Sequence, residues 1–264
     1  MMKYKMIVTD LDGTLLRNDK TISDFTGDTI ASLRANGVKF VIATARPVRS
    51  VKGFLPFLDF DAGIYHNGAV ICENGAVIAE CGIEEPLCIV HRIMADNPGI
   101  HISVEANDVL YANFDVSSIW GKAEFVYTKD FAELKERVAD KIIVEAFSLE
   151  EMKRFEKYLP ENLYLQLSET RIAMIMNKRA AKSNAISVLA EKMGIRMEEV
   201  VAFGDDYNDM DMLELCGKGV AVGNALEAVK DVADEVCGTN EEDGLANWII
   251  SQNSMTVKVI YGDE

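Results

Sequence analysis

The stretch YKMIVTDLDGT, residues 4–14, decides the fold. Tyr4–Thr9 is an apolar run rich in β-branched side chains and too short for a stable helix, so it is expected to form a buried strand. The run breaks into Asp10, Asp12 and a turn at Gly13, which sets two carboxylates at the carboxyl end of a sheet strand. Open α/β sheets bind their ligands at that edge. Asp-rich turns also arise as capped loops. A calcium loop would need its glycine at the sixth position and a glutamate where Thr21 stands, whereas Gly13 is at the fourth.

Working outward, apolar runs alternate with segments of helical period, and this alternation predicts an α/β architecture with a parallel sheet. A helix is expected over Asp24–Asn36, ending near Gly37, followed by a strand over Val38–Thr44. Further core strands are expected at Ala62–Tyr65, Val200–Gly204, Gly219–Val222 and Glu235–Cys237, with helices near Asp209–Leu215, Ala225–Val232 and Gly244–Ser251. Asn74-Gly75, flanked by Ala69–Glu73 and Ala76–Cys81, predicts a tight hairpin, because both turn positions need positive φ.

The middle of the chain reads as a second, α+β unit. Helical period covers Pro86–Ala95, alternation runs through Ile100–Asn113, and a helix is expected near Phe131–Ala139. A strand at Lys141–Phe147, a helix opened by the capping-box residues Ser148 and Glu151, and strands at Leu163–Ser168 and Arg171–Met176 complete it. With no long linker at either end, residues 83–178 are expected to be an insertion into a core made of 1–82 and 179–264. Thr256–Tyr261 alternates like a short strand with no evident partner.

The 264 residues are 49% hydrophobic, enough for a sizeable core, and no apolar run approaches the length of a membrane span. No leader pattern opens the sequence, so the cytoplasm is the expected compartment. Five cysteines without a C-x-x-C pair fit reduced thiols better than a disulfide framework or a zinc site. The formal net charge of −16 argues against nucleic acid and anionic membranes as partners.

A second acidic cluster, Gly204-Asp-Asp-Tyr-Asn-Asp209, follows the strand Val200–Phe203. Acidic residues at a helix start complement its dipole. Two such clusters at strand ends of one sheet would nevertheless repel unless a hard cation lay between them, and oxygen-only ligands suit Mg²⁺. Thr44 closes the second strand and Lys182 opens a helix after the inserted unit. Each is ordinary alone; their order is not.

Asp-x-Asp-Gly-Thr, a strand-terminal Thr, a Lys and Gly-Asp-x-x-Asn-Asp, in that order, resemble the motif set of the haloacid dehalogenase superfamily, in particular its Cof-like phosphatase branch. The likeness runs the length of the chain and extends to His66-Asn-Gly-Ala69, Gly223-Asn-Ala225 and Asp243-Gly-Leu245. It implies a Rossmann-like parallel-sheet core with a large inserted α+β cap, and a Mg²⁺-dependent phosphatase acting on a small phosphorylated metabolite. A phosphomutase of the same superfamily and a non-catalytic phosphate-binding protein are the alternatives.

The resemblance also implies roles at the matching positions. Asp10 resembles the nucleophile, Asp12 the general acid/base, and Thr44 and Lys182 the phosphoryl-binding pair. Asp10, the Asp12 carbonyl and Asp205 resemble the metal ligands; Gly13, Asn208 and Asp209 resemble supporting groups, and Arg46 and Asn67 line the site. Two departures stand out. The branch usually has Pro-Lys-Gly where this chain has Asn177-Lys-Arg179, so Lys178 competes with Lys182, although spacing favours Lys182. Ala45 stands where glycine is common.

Overall fold

The computed structural model describes residues 3–54, 58–168 and 171–252. The first strands are β1 (Met6–Thr9), β2 (Lys39–Ala43), β3 (Ala62–Tyr65), β4 (Val70–Glu73) and β5 (Ala76–Glu80). The middle of the chain supplies β6 (Ile102–Ala106), β7 (Val109–Ala112), β8 (Val126–Tyr127), β9 (Lys141–Glu145), β10 (Leu163–Ser168) and β11 (Ile172–Asn177). The chain then adds β12 (Val200–Gly204), β13 (Lys218–Ala221) and β14 (Glu235–Val236).

Among the described residues these strands form an eight-stranded sheet, β14-β13-β12-β1-β2-β3-β4-β5, and a six-stranded sheet, β10-β11-β9-β6-β7-β8. In the first, β14 through β3 run parallel and β4 and β5 close the edge antiparallel. Asn74 and Gly75 both have positive φ, 49° and 79°, in the expected hairpin turn. The central parallel strands β12, β1, β2 and β3 are buried on both faces, as strands covered by helices must be. Ile7, Phe40, Ile42 and Phe203 pack with Ile30, Leu33 and Trp248 on one side. Met6, Val8, Val41 and Ala202 pack with Ile186, Leu189 and Met212 on the other.

The order of strands positions the site. From β1 the chain steps to β2 and β3 on one side and later returns to β12 on the other, so the connections part company at β1. The crevice above such a switch point is the ligand site of open α/β sheets. Asp10 follows β1, Thr44 follows β2 and Asp205 follows β12, so all three stand on that edge.

The six-stranded sheet belongs wholly to the chain between β5 and the helix Lys182–Met193. Its entry and exit are tied together: Asn177 Nδ2 donates to the carbonyl of Gly82 at 2.8 Å. Helices cover one face through Ile89, Val90, Ile93 and Met152, which pack on Ile102, Val104, Ile142 and Ala173. The alternation over Ile100–Asn113 resolves into β6 and β7 joined at Asn107-Asp108, both with positive φ, 52° and 59°.

One expected element is corrected. Phe131–Ala139 holds only a short 3₁₀ turn, Ala132–Leu134. Phe131 is fully buried with φ 56°, its amide donating to Thr128 Oγ1, and Glu136 has φ 61°, so left-handed residues interrupt the helical period at both ends. A helix at Val48–Phe54, just after Pro47, was not anticipated. Thr256–Tyr261 lies outside the described residues. Among the described residues no helix is long and apolar enough to cross a membrane.

Where the two sheets meet, Asp140 Oδ2 lies 3.6 Å from His66 Nε2. Burial raises the Asp140 carboxyl from the ordinary 3.8 to about 7, helped by Glu105 and Glu80 and opposed by Lys141. Burial likewise holds the His66 imidazole well below 6.5, so the contact is not an ion pair at neutral pH. Because folded Asp140 binds its proton more tightly than the unfolded chain does, its contribution is full below about pH 4 and is lost as pH rises through about 7. Asp140→Asn removes the ionisation. It should raise Tm by about 3 °C or more at pH 8 and change it little at pH 4; the same shift in calorimetric scans at both pH values would count against a buried, protonating Asp140.

Candidate active site

The turn after β1 bends back on itself, with Leu16 N donating to the Leu11 carbonyl at 2.8 Å. Gly13 in this turn has φ +83°, and a Cβ there would collide with Asp205 Oδ2. Only glycine lets the β1 and β12 loops approach so closely. Thr14 Oγ1 then donates to Asp205 Oδ1 at 2.6 Å, and Asn224 Nδ2 donates to the Gly13 carbonyl at 2.7 Å.

Lys182 is 1% exposed and is the first residue of its helix. Its Nζ donates to Asp10 Oδ1 at 2.7 Å and to Asp209 Oδ1 at 2.6 Å. Asp209 Oδ2 accepts the backbone N–H groups of Asp205 and Asp206 at 2.9 and 3.1 Å, so both oxygens of this fully buried carboxylate are engaged. Lys178, by contrast, is exposed on the turn after β11, its backbone N–H donating to the Asn162 carbonyl. The structure brings Lys182, and not Lys178, to Asp10.

Oxygens of Asp10, Asp205 and Asp209 all lie within 4.8 Å of one another. Three carboxylates against one ammonium leave an excess of negative charge in a dry place. Burial, together with Asp209 and Asp205, raises the Asp10 carboxyl to about 8 against the pull of Lys182. Burial also raises Asp205 to about 6, with Thr14 opposing. A hard divalent cation fits this set: the donors are all oxygen, and its charge would return both carboxyls to the ionised form. Asp10 and Asp205 each commit Oδ1 to a protein donor and have a second oxygen to offer.

Asp12 points elsewhere. Arg46 clasps it with Nε on Oδ2 at 2.6 Å and Nη2 on Oδ1 at 2.7 Å, and Lys20 Nζ reaches Oδ1 at 2.8 Å. Burial pushes its carboxyl up, but the Arg46 and Lys20 hydrogen bonds and charges outweigh burial and hold it below the usual range. Thr44 is buried at the end of β2; its Oγ1 accepts the Arg46 amide at 3.1 Å and its carbonyl accepts the Asn67 amide at 3.0 Å.

His66, Asn67 and Gly68 have consecutive positive φ values of 50°, 56° and 107°. A Cβ on Gly68 would strike the Ala181 carbonyl, so this turn packs directly under Lys182. It also reaches the β12 loop, since Asn208 Nδ2 donates to Asn67 Oδ1 at 3.0 Å. One turn therefore braces three of the strand-end loops. Backbone held in sparsely populated regions gathers at functional sites.

Two residues of the cluster were missed by sequence reasoning. Thr14 lies inside the first motif but was given no task, and Lys20 carries no signal: it is a loop lysine eight positions after Asp12 whose partner appears only on folding.

Comparison with known proteins identifies the family. The family model for haloacid dehalogenase-like hydrolases matches residues 7–249. A Haemophilus influenzae protein provisionally named a phosphatase is 35% identical, over 93% of this chain and 97% of its own length. The Bacillus subtilis 5-amino-6-(5-phospho-D-ribitylamino)uracil phosphatase YitU is 28% identical, over 94% of this chain and 97% of its own length. Among solved structures, TM0651 from Thermotoga maritima superposes with a TM-score of 0.86 at 26% identity, covering 96% of this chain and 98% of that one. The subclass IIB sugar phosphatase BT4131 does so with 0.79 at 25% identity, covering 94% and 98%. On its sheet topology, its strand-end carboxylates and these full-length likenesses, the chain belongs to the haloacid dehalogenase-like hydrolases, among their Cof-like phosphatases.

Proposed function

We propose that this phosphatase hydrolyses a small phosphomonoester, such as a sugar or polyol phosphate, through an aspartyl-phosphate on Asp10, with Mg²⁺ as cofactor. The observation that carries the reading is the buried Asp10–Lys182–Asp209 chain beside Asp205 at the switch point of the sheet. The names of two relatives, a sugar phosphatase and a phosphatase of a phosphorylated ribityl compound, support the substrate class. Residues 83–178 act as the cap, which shields the reaction from water and contacts the organic part of the substrate.

Asp10, Asp205 and the Asp12 carbonyl hold the cation in this reading. When bound it supplies positive charge to the phosphoryl oxygens and keeps Asp10 ionised. Lys182 and Thr44 bind the same oxygens, and Asp209 fixes Lys182 by accepting from its ammonium. Asp10 attacks phosphorus, the bond to the alcohol oxygen breaks, and that oxygen takes a proton from Asp12. Water then attacks phosphorus, Asp12 recovers a proton from it, and the Asp10 oxygen leaves as phosphate departs.

Arg46 and Lys20 hold Asp12 ionised in the resting site. An incoming phosphoryl group, itself anionic, competes for both cations and raises the proton affinity of Asp12, which arms it as an acid only with substrate present. The charge of −16 is no obstacle, since local cations act at a few ångströms while the diffuse field is screened within about 8 Å.

Metal removal tests this directly. Hydrolysis of a phosphomonoester should fall to background in excess chelator and return when Mg²⁺ is restored, with the fold unchanged by circular dichroism. Undiminished turnover in chelator would contradict a carboxylate-held cation.

A further inference from the structure

The segment that carries Thr44 and Arg46 continues into the helix Val48–Phe54, and Arg49 on that helix crosses to the cap. Its guanidinium makes a two-pronged pair with Glu105 on β6, Nη1 to Oε2 at 2.8 Å and Nη2 to Oε1 at 2.9 Å. Its backbone N–H donates to Asp108 Oδ1 at 2.9 Å, in the turn between β6 and β7. Next to Glu105 across the β6–β9 pairing stands Lys141. Its Nζ donates to the carbonyl of Ala45 at 3.2 Å, and Ala45 is the residue between Thr44 and Arg46.

Both cap residues are buried, Glu105 at 5% and Lys141 at 7% exposure. Three cap groups therefore grip one short core segment, residues 45–49, whose Arg46 holds Asp12 and whose neighbour Thr44 binds phosphoryl oxygens in the proposed mechanism. A seam of this chemistry is suited to opening. Parting an apolar seam costs about 25 cal/mol per Å² of newly wetted surface. A parted ion pair is instead solvated on both sides, so its desolvation cost is returned as the Coulomb attraction is lost. The planar fork also admits one geometry, which fixes where the cap seats.

We infer that Arg49, with Glu105 and Lys141, forms a latch that seats the cap on the loop carrying Thr44 and Arg46, and that Arg49 is thereby a positioning residue for the Arg46–Asp12 pair. Seating the cap fixes the 44–49 segment and so the direction of the Arg46 guanidinium. Lifting it frees both the entrance and the loop. The kinetic consequence rests on the proposed function; the cap position does not.

Glu105→Gln is the variant of choice, because it keeps the volume and the two cations it leaves behind retain partners: Arg49, at 28% side-chain exposure, can still reach water, and Lys141 keeps the Ala45 carbonyl and the neighbouring Asp140. Cap position is read by energy transfer between dyes on Cys88, exposed on the cap helix Pro86–Asp96, and on Glu191→Cys, exposed on the core helix. Glu105→Gln and Arg49→Ala should each move the population toward lower transfer and lower kcat/KM by about tenfold or more. Arg49→Lys should recover part of both. An unchanged transfer distribution in Glu105→Gln overturns the latch whatever happens to the rate. Lower transfer with an unchanged kcat/KM overturns the positioning role. If Arg49→Ala does not fold, Glu105→Gln and Lys141→Met decide the question alone. If the parent protein hydrolyses no phosphomonoester, the proposed function fails while the transfer measurement still judges the latch.

Discussion

Lys182→Met should lower kcat for phosphomonoester hydrolysis by about 10³-fold or more, while Lys178→Ala should stay within about twofold of the parent. Lys182 is the buried cation nearest Asp10, and its ammonium bridges Asp10 and Asp209 at 2.7 and 2.6 Å. A preorganised charge in a dry site is worth far more in the transition state than the same charge in water. Methionine keeps the aliphatic bulk, so the helix Lys182–Met193 keeps its packing through Ile186 and Leu189. It also strands Asp10 and Asp209, and removing one partner of a buried pair costs about 3–5 kcal/mol of stability. Saturating Mg²⁺ should offset part of that loss. Circular dichroism at the assay temperature separates an inactive folded enzyme from an unfolded one. A folded Lys182→Met with near-parental kcat, or a collapse of kcat in Lys178→Ala, would move the phosphoryl-binding lysine to the turn after β11.

Asp12→Asn should slow both half-reactions, and unequally across substrates. The substitution keeps the backbone carbonyl assigned to the cation but removes the proton donor, and it leaves Arg46 and Lys20 without the carboxylate they clasp. An aryl phosphate has an acidic leaving group and needs little protonation, whereas a sugar phosphate leaves as a strongly basic alkoxide. The loss in kcat/KM should therefore be about 10²-fold greater for the sugar phosphate. Stopped-flow and steady-state rates on the two substrates measure it. Equal losses would show that Asp12 serves only to hold Arg46.

The core and the chemistry were legible because both are written locally. Short apolar runs rich in β-branched residues mark the central strands, and Asp10, Thr44 and Asp205 are each the first residue beyond such a strand. Asn74-Gly75 fixes its hairpin without outside help. The cap was less legible. Phe131 follows the helical period around it, yet its side chain is needed in the cap core at a left-handed backbone position, and tertiary burial wins over local propensity. Contacts between distant segments were invisible for a different reason. Lys20 on Asp12, Thr14 on Asp205 and Arg49 on Glu105 join surface-type residues whose meaning exists only once two loops or two sheets meet.

The aspartyl-phosphate itself is the claim on which the account turns. Rapid quench of Asp12→Asn with a labelled aryl phosphate is the most direct measurement of it, because the variant retains the nucleophile and lacks the base for the second step. The account predicts a burst of released phenol approaching one per enzyme, slow turnover afterwards, and label recovered on the peptide that contains Asp10. Release without a burst, with no label on Asp10 at any quench time, would contradict covalent catalysis at this residue.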